Sequence, residues 1–459
     1  MRYVLACLAI ALGAGCPDRS LSALAPAQAG ATTKNIAVSA ELDLLFVIDD
    51  SASTKDKQEL FAQNFHNFVA TLQALSPRPN LHIGVVTSSV DLGVGIDQAC
   101  HPTRGADGVL QNASRDPAQP CMATGDRYLV DVARPDGSRM INYTEPLDQA
   151  LTCIAHVGDN GCGFEAPLEA MKRALDGSRP DNAGFLRPGA FLAVVILTDE
   201  DDCSADPQLF RLAPALSNEL DFRCAREAYR CDQPISPTAP GAYTGCTVRH
   251  DGLLIDPRSY AQFLSGLQGP SRVAVAVIAG DPVADIRTGP IDMPFTQPLA
   301  LEPSCHATIN GAYAIGRPAI RIDEFRASFG DRGLFESVCQ SDYSQAVAAI
   351  GALVTSALSP CLEGTLDTRD IDPASPGLQL DCAVSDLQGA DSDAQVEEEI
   401  PRCHMVADDQ PDLAGGRACW WVRSNPACAT ETQLELRVER TAAPPSSTTV
   451  RVTCAVAPT

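Results

Sequence analysis

The segment FVIDDSAST, residues 46–54, changes from apolar to acidic and hydroxylated side chains within a few positions. The apolar run from Leu42 to Ile48 is typical of a buried β-strand, and it stops at Asp49 and Asp50. Two adjacent carboxylates at a strand end repel each other, so we expect a positive group or an exposed turn beside them.

The sequence from residue 41 to about 360 alternates between short apolar runs and amphipathic helical segments. We predict strands at 42–48, 81–89, 190–202 (ending in acids) and 272–280, helices at 55–75, from Pro167, from Pro257 and at 342–358, and a hairpin at 127–143. This alternation predicts an α/β fold with a doubly wound, mostly parallel, Rossmann-like sheet. The long loops at 90–126, 200–255 and 281–335 are expected to be stapled by disulfides.

The composition changes after Cys361. We assign a signal peptide to 1–16, a flexible tether to 17–40, the α/β domain to 41–361, a polar linker to 362–377 and a small cysteine-rich β domain to 378–459. In the last domain TQLELRVERT and TTVRVTCAVA alternate strictly on either side of AAPPSS, which predicts a half-buried antiparallel hairpin. Trp420 and Trp421 are expected in its core.

The amino terminus has the features of an export signal. Arg2 precedes an apolar stretch at 3–12, and GAGC follows at 13–16, which resembles the lipobox of bacterial lipoproteins with Cys16 as the lipidated residue. The leucine usual three places before the cysteine is replaced by Gly13, and cleavage after AQA at 27–29 is the alternative. We therefore expect a lipid-anchored envelope protein, or else a secreted or periplasmic one.

The chain has 18 cysteines, too many for a reducing compartment, and either cleavage leaves an even number of them unmodified. None stands in a C-x-x-C motif, so zinc ribbons and thioredoxin-like centres have no support. From their spacing we expect local disulfides, namely Cys100 with Cys121, Cys153 with Cys162, and Cys231 with Cys246.

The charge balance limits the partners. With 58 acidic and 34 basic residues the net charge is −24, which repels nucleic acid and anionic lipid and favours cations. We expect no nucleic-acid partner, and contact with a membrane only through the N-terminal lipid.

Oxygen-bearing side chains follow two strands that neighbour each other in such folds. Asp49, Ser51 and Ser53 end the first strand, and Thr198 and Asp199 end the fourth. Carboxylates and hydroxyls from adjacent loops suit Mg²⁺, or else Mn²⁺ or Ca²⁺, and parallel sheets collect such groups at their carboxyl edge. The sequence therefore predicts a cation site there.

The D-x-S-x-S pattern on this strand, followed by a helix and later by ILTDE, resembles the von Willebrand factor type A domain over residues 41–360. The resemblance implies that Ser51 and Ser53 bind a metal ion directly, with Asp49 and Asp199 acting through water or in the second coordination shell. It also implies that an acidic side chain of a protein partner completes the coordination. In place of the family's threonine this sequence has Cys162, for which Glu165 or Asp159 is a conceivable substitute.

No phosphate-binding loop, dinucleotide fingerprint, H-E-x-x-H or G-x-S-x-G motif is present in the sequence, so we expect no enzyme. The expected function is metal-dependent protein binding or adhesion at a partly degenerate site. The alternatives are a structural envelope lipoprotein, in which DDSAS is only an acidic turn and helix cap, and an unrecognised metallohydrolase.

Overall fold

The structure is a computed structural model. It describes residues 31–37, 41–75, 78–93, 100–101, 103, 105–134, 136–211, 220–269, 272–290, 299–358, 360–388, 395–413, 416–426, 428, 430–441, 444 and 448–457. Cys16 and the predicted signal segment lie outside these residues. Within the described part, no helix is long and apolar enough to cross a membrane.

The helices are α1 (Lys55–Ala62), α2 (Phe65–Gln73), α3 (Leu147–Ala155), α4 (Pro167–Leu175), α5 (Gln208–Arg211), α6 (Leu220–Ala228), α7 (Pro257–Gln268), α8 (Ile320–Ala327) and α9 (Ser344–Leu358). The strands are β1 (Ala31–Ala37), β2 (Glu41–Ile48), β3 (Asn80–Thr87), β4 (Leu129–Ala133), β5 (Arg139–Ile141), β6 (Phe191–Leu197), β7 (Tyr229–Arg230), β8 (Gly241–Tyr243), β9 (Thr247–Val248), β10 (Val273–Ala279), β11 (Ile286–Pro290), β12 (Leu299–Leu301), β13 (Cys305–Ile309), β14 (Ala312–Gly316), β15 (Gly333–Ser337), β16 (Cys382–Gln388), β17 (Val396–Ile400), β18 (Met405–Ala407), β19 (Gln410–Pro411), β20 (Cys419–Ser424), β21 (Leu434–Glu439) and β22 (Thr449–Ala455).

A seven-stranded sheet with the order β15-β10-β6-β2-β3-β4-β5 forms the centre of the α/β part. Strands β15, β10, β6, β2 and β3 are parallel, and the β4–β5 hairpin adds an antiparallel edge. The predicted mixed α/β class and the hairpin at 127–143 are confirmed. Strand β2 lies between β3 and β6, so its carboxyl end is at the middle of the sheet edge.

Helices cover both faces of this sheet because successive side chains of a strand point to opposite sides. Phe46 and Ile48 of β2 pack in the cluster that contains residues of α1, α2, α3 and α9. Leu45 and Val47 pack in the cluster that contains residues of α4, α7 and α8. The continuous apolar composition of the central strands thus reflects burial on both faces.

The single helix predicted over 55–75 is two helices, α1 and α2, separated at residues 63–64. The Asn64 side-chain amide donates to the Leu60 carbonyl at 3.0 Å, and the Asn64 backbone N–H donates instead to Phe61 O at 3.1 Å. A side chain that occupies the i−4 carbonyl competes with the regular helical bond, which accounts for the break.

The C-terminal part contains an antiparallel sheet of order β1-β22-β16-β17 and the separate pair β20-β21. The predicted hairpin is wrong, because β21 pairs with β20 and β22 pairs with β1 and β16. Both sheets contribute to one core, in which Trp420 is buried as expected. The alternation of apolar and polar residues in β21 and β22 predicts that each strand is half-buried, but it does not specify which strands they pair with.

The predicted flexible tether and the predicted polar linker both contribute residues to this core. Residues 31–37 of the predicted tether form β1, at the edge of the sheet. Leu362 and Leu366 of the predicted linker are 2% and 5% exposed and pack in the same hydrophobic cluster.

Among the described residues there are eight disulfides. They join Cys100–Cys162, Cys121–Cys153, Cys203–Cys224, Cys231–Cys246, Cys305–Cys339, Cys361–Cys428, Cys382–Cys454 and Cys403–Cys419. The Cys231–Cys246 prediction is confirmed, while the predicted Cys100–Cys121 and Cys153–Cys162 pairs are wrong. Cys100 packs in a hydrophobic cluster with Cys162, Phe164 and Ala170, so it meets a cysteine that is distant in the sequence. Such a disulfide content is typical of extracellular or envelope-exposed proteins.

Candidate metal site

The four predicted ligands come together at the carboxyl edge of the central sheet. Strands β2 and β6 are parallel neighbours with Ile48 opposite Leu197, and the Asp49 N–H donates to the Leu197 carbonyl at 2.9 Å. The residues that follow each strand are therefore adjacent, and Asp49 meets the Thr198 and Asp199 loop.

The oxygen atoms of these residues form a connected series. Asp49 Oδ1 accepts from the Ser51 N–H at 2.8 Å, and Ser51 Oγ lies 3.2 Å from Ser53 Oγ. Ser53 Oγ donates to Asp199 Oδ1 at 3.0 Å. Asp49 and Asp199 are 0% and 2% exposed, whereas Ser53 is exposed, so the series runs from the interior to the surface.

The loop after β2 is held by hydrogen bonds to the Asp49 carbonyl. This oxygen accepts from Thr54 Oγ1 at 2.9 Å and from Gln58 Nε2 at 2.7 Å. Thr198 Oγ1 donates to the other Asp49 carboxylate oxygen, Oδ2, at 2.7 Å. The loop is thus positioned by hydrogen bonds within the protein, two of them to the carbonyl of Asp49 and one to its carboxylate.

The second acid, Asp50, turns towards different neighbours. Its Oδ1 accepts from Ser89 Oγ at 2.6 Å, and its carbonyl accepts from the Gly161 N–H at 2.7 Å. A side chain at Gly161 would place Cβ only 2.5 Å from this carboxylate. The hydroxyl of Ser89 therefore binds Asp50, whereas the hydroxyl of Ser88 contacts both acids, at 3.2 Å from Asp49 Oδ1 and 3.3 Å from Asp50 Oδ1.

A positive group, predicted as one of two solutions for the acidic strand end, is present as Lys57 of α1. Its ammonium lies 3.1 Å from Asp199 Oδ2 and donates to Ser53 O at 2.7 Å. The side chain is 2% exposed. Lys57 was not identified from the sequence, although a signal existed. It is the third residue of a helix, and helical side chains point towards the N-terminal end, here the DDSAS loop.

The site favours protons or cations. Burial, together with the negative charge of Asp199, raises the pKa of Asp49 to about 7. Burial also raises the pKa of Asp199, and the nearby Lys57 ammonium opposes this rise. Two carboxylates that are costly to ionise together would be stabilised by an added cation.

The donor set fits a divalent metal ion. Two hydroxyls and two carboxylates are hard oxygen ligands of the kind that Mg²⁺, Mn²⁺ and Ca²⁺ prefer. Asp199 Oδ2 is buried and accepts no hydrogen bond of good geometry from any residue that the structure describes. Such an oxygen can bind a cation, and the Lys57 ammonium already lies 3.1 Å from it.

The position of the family's threonine is unavailable for coordination. Cys162 is bonded to Cys100, and its N–H donates to Ser89 Oγ at 2.7 Å, on the Asp50 side of the site. Of the two possible substitutes, Asp159 lies 3.6 Å from the Lys55 ammonium in a partly exposed ion pair.

Glu165, the other possible substitute, is 3% exposed on the same sheet edge. Burial, and then the charges of Glu200 and Asp49, raise its pKa well above the ordinary value. Glu165, Glu200 and Arg317 line a cavity of about 20 Å³, enough for one water molecule. The row of acids thus continues from the metal site towards this cavity.

A second group of possible metal ligands in the described chain consists of His250, Asp256 and Glu324. The Arg258 guanidinium lies 2.6 Å from Asp256 and 3.6 Å from Glu324. Both carboxylates of this group therefore already have an arginine as an ionic partner.

No protein-family model matches the sequence, and no curated protein matches it. Solved structures similar to it include the pilus adhesin SpaC of Lactobacillus rhamnosus GG in its open conformation, with a TM-score of 0.32 and 9% identity over 92% of this chain and 40% of that chain. A second SpaC structure has a TM-score of 0.31 and 11% identity over the same shares. The human COPII-coat protein Sec24c has a TM-score of 0.30 and 8% identity over 91% of this chain and 44% of that chain. This chain spans less than half the length of each, and similarities this low carry no argument about function.

Proposed function

We propose that the α/β domain is of the von Willebrand factor A type and binds a protein partner through a divalent cation at the DDSAS edge. The observation that carries this proposal is the hydrogen-bonded series of Asp49, Ser51, Ser53 and Asp199 on two adjacent parallel strands. A turn used only as a helix cap does not need the buried acid from β6, and Thr54, the residue before α1, makes no side-chain cap bond.

Two kinds of oxygen ligand would bind the ion. Ser51 and Ser53 would offer hydroxyl oxygens to the ion, and Asp49 and Asp199 would supply the negative charge, directly or through water. A bound ion supplies an open coordination position for an acidic side chain of the partner. Exposed Ser53 marks the direction from which that side chain arrives.

The protein is further proposed to act in the cell envelope, held by a lipid on Cys16, and not to be an enzyme. The disulfides support export. An acidic chain anchored by lipid needs no other attachment to the membrane, and its net charge of −24 disfavours nucleic acid.

A structural envelope protein without a working metal site is the second candidate. The observation that favours it is the Lys57–Asp199 ion pair, which already places a positive charge among the proposed ligands. The two candidates differ in whether a divalent ion binds and stabilises the domain.

Thermal unfolding with and without metal tests the proposal. We expect Mg²⁺ or Mn²⁺ to stabilise the mature protein by about 2.7 kcal/mol at a hundredfold excess over Kd, since a ligand bound only to the folded state acts by mass action. The Ser51→Ala, Ser53→Ala double variant should lose the shift, whereas Ser138→Ala in the β4–β5 turn should retain it. No shift of the wild-type protein with millimolar Mg²⁺, Mn²⁺ or Ca²⁺ would reject metal-dependent binding and leave the structural candidate.

A further inference from the structure

The ammonium of Lys57 is enclosed by acceptors from three neighbouring residues. It donates to Ser53 O at 2.7 Å and to Asp56 Oδ1 at 3.3 Å, and it lies 3.1 Å from Asp199 Oδ2. An ammonium group has three N–H donors; two of them make these hydrogen bonds, and the contact with Asp199 is an ion pair. The geometry fixes the side chain in one position.

Burying an ammonium group without partners is strongly unfavourable, so the acceptors around Lys57 are needed to keep its charge in the interior. The Lys57 side chain is 2% exposed, and its ionic partner Asp199 is also 2% exposed. Lys55, two residues earlier on the same helix, is 38% exposed and pairs with Asp116 and Asp159 at 3.5 and 3.6 Å. The two lysines therefore differ in burial and in partner, although they share one helical turn.

We propose that Lys57 is the resident cation of this site. Its ammonium holds Asp199 and the DDSAS loop in place when no divalent ion is bound, and it lowers the affinity of the same oxygens for such an ion. The first part depends only on the contacts of Lys57, and the second rests on the proposed function.

The two parts follow from one shared acceptor. Asp199 is both the ionic partner of Lys57 and one of the proposed metal ligands. Ser53 connects the two side chains, because its carbonyl accepts a hydrogen bond from Lys57 and its hydroxyl donates one to Asp199. A divalent ion on these oxygens would stand close to the ammonium, and the two positive charges repel in a buried setting. Lys57 thus sets the metal affinity without being a ligand.

Stability in EDTA tests the first part. We expect Lys57→Met to lower the midpoint of thermal unfolding by several degrees, because Asp199 is left buried without its counter-ion. Lys57→Met combined with Asp199→Asn should recover most of the loss, and Lys55→Met serves as the matched control with little change. If Lys57→Met alone does not fold, recovery of folding in the double variant supports the same pairing. An unchanged midpoint in Lys57→Met, or no recovery in the double variant, overturns the proposal.

Binding of Mn²⁺, followed by the electron paramagnetic resonance signal of the free ion, tests the second part. We expect Lys57→Met to bind Mn²⁺ at least tenfold more tightly than the wild-type protein, and Ser51→Ala with Ser53→Ala to abolish the gain. Equal Kd values for wild type and Lys57→Met overturn this inference and leave the proposed function intact. No binding by either protein overturns both, so the two failures are distinguishable.

Discussion

Another buried acid, Asp43, lies at the amino end of β2, opposite to the candidate metal site. Its carboxylate accepts from the Arg187 backbone N–H at 2.6 Å and from Arg187 Nε at 2.7 Å. His82 of β3 stands 3.9 Å away and places Nδ1 at 2.8 Å from Phe185 O. Burial raises the pKa of Asp43 to about 6, and burial lowers the pKa of His82 to about 4.

These two shifts act on stability in opposite directions over the same pH range. Asp43 binds a proton more tightly in the folded state than in the unfolded state. The stabilisation that this bound proton provides is therefore present at low pH and is lost as pH rises from about 4 to about 6. His82 is held neutral in the folded state, so its contribution is lost as pH falls from 6.5 towards about 4. Each change is on the order of 3 kcal/mol, and in the wild-type protein they largely cancel.

Single variants should separate the two contributions. Relative to wild type, we expect the free energy of unfolding of His82→Gln to fall by about 3 kcal/mol between pH 4 and 6.5, and that of Asp43→Asn to rise by a similar amount. Denaturant titrations at several pH values measure both. If the curves of the two variants run parallel to that of wild type, neither group titrates as described.

The loop that carries Cys162 is the element that most alters the site compared with the family it resembles. Cys162 is joined to Cys100 over a sequence separation of 62 residues, and the neighbouring Gly161 lies against Asp50. The disulfide therefore positions the loop beside the acidic strand end while withholding a hydroxyl ligand. The disulfide thus cross-links this loop at the position where the resemblance implies a hydroxyl ligand.

Replacing this disulfide should separate stability from metal response. We expect Cys100→Ser with Cys162→Thr to lower the free energy of unfolding by about 4 kcal/mol through the lost cross-link. The stabilisation by Mg²⁺ should become larger, because a threonine hydroxyl then stands at the family's ligand position. Cys231→Ser with Cys246→Ser is the control, since it removes a disulfide from another loop. A metal response that is unchanged in the threonine variant would show that position 162 does not face the ion.

At the scale of the whole molecule, the two ends of the described chain meet in one sheet. Strand β1 pairs with β22 from Ala31 opposite Ala455 to Ala37 opposite Thr449. Ile36 is 6% exposed in the C-terminal core, and the Lys34 ammonium donates to Cys361 O at 2.9 Å. The chain therefore enters the C-terminal sheet through β1 before it enters the central α/β sheet through β2.

This arrangement predicts which domain depends on the N-terminal strand. Ile36→Ala should destabilise the C-terminal domain by roughly 2–5 kcal/mol, the usual cost of truncating a buried isoleucine. Thr33→Ala, at an exposed position of the same strand, is the control and should have a small effect. Limited proteolysis read by mass spectrometry should show faster cleavage within 378–459, with the Mg²⁺ response of the α/β domain retained. Equal cleavage rates for Ile36→Ala and wild type would mean that β1 does not stabilise this domain.

The sequence by itself determined the local features of this protein. Continuous apolar runs identified β2, β6 and β10 as buried strands, and the abrupt change at Asp49 marked the strand end where the oxygen donors lie. These features depend on each segment's own composition. A strand buried on both faces is continuously apolar, and a strand buried on one face alternates between apolar and polar residues.

Only the tertiary structure decided which segments and charges meet. The pairing of Cys100 with Cys162, the insertion of β1 beside β22 and the approach of Lys57 to Asp199 each join residues that no local pattern connects. Period-two alternation leaves a strand's partners open, and cysteine spacing leaves its bridges open, since both depend on how distant segments pack. The oxygen donors of the candidate site were therefore predicted from the sequence, while the approach of Lys57 to Asp199 was found only in the structure.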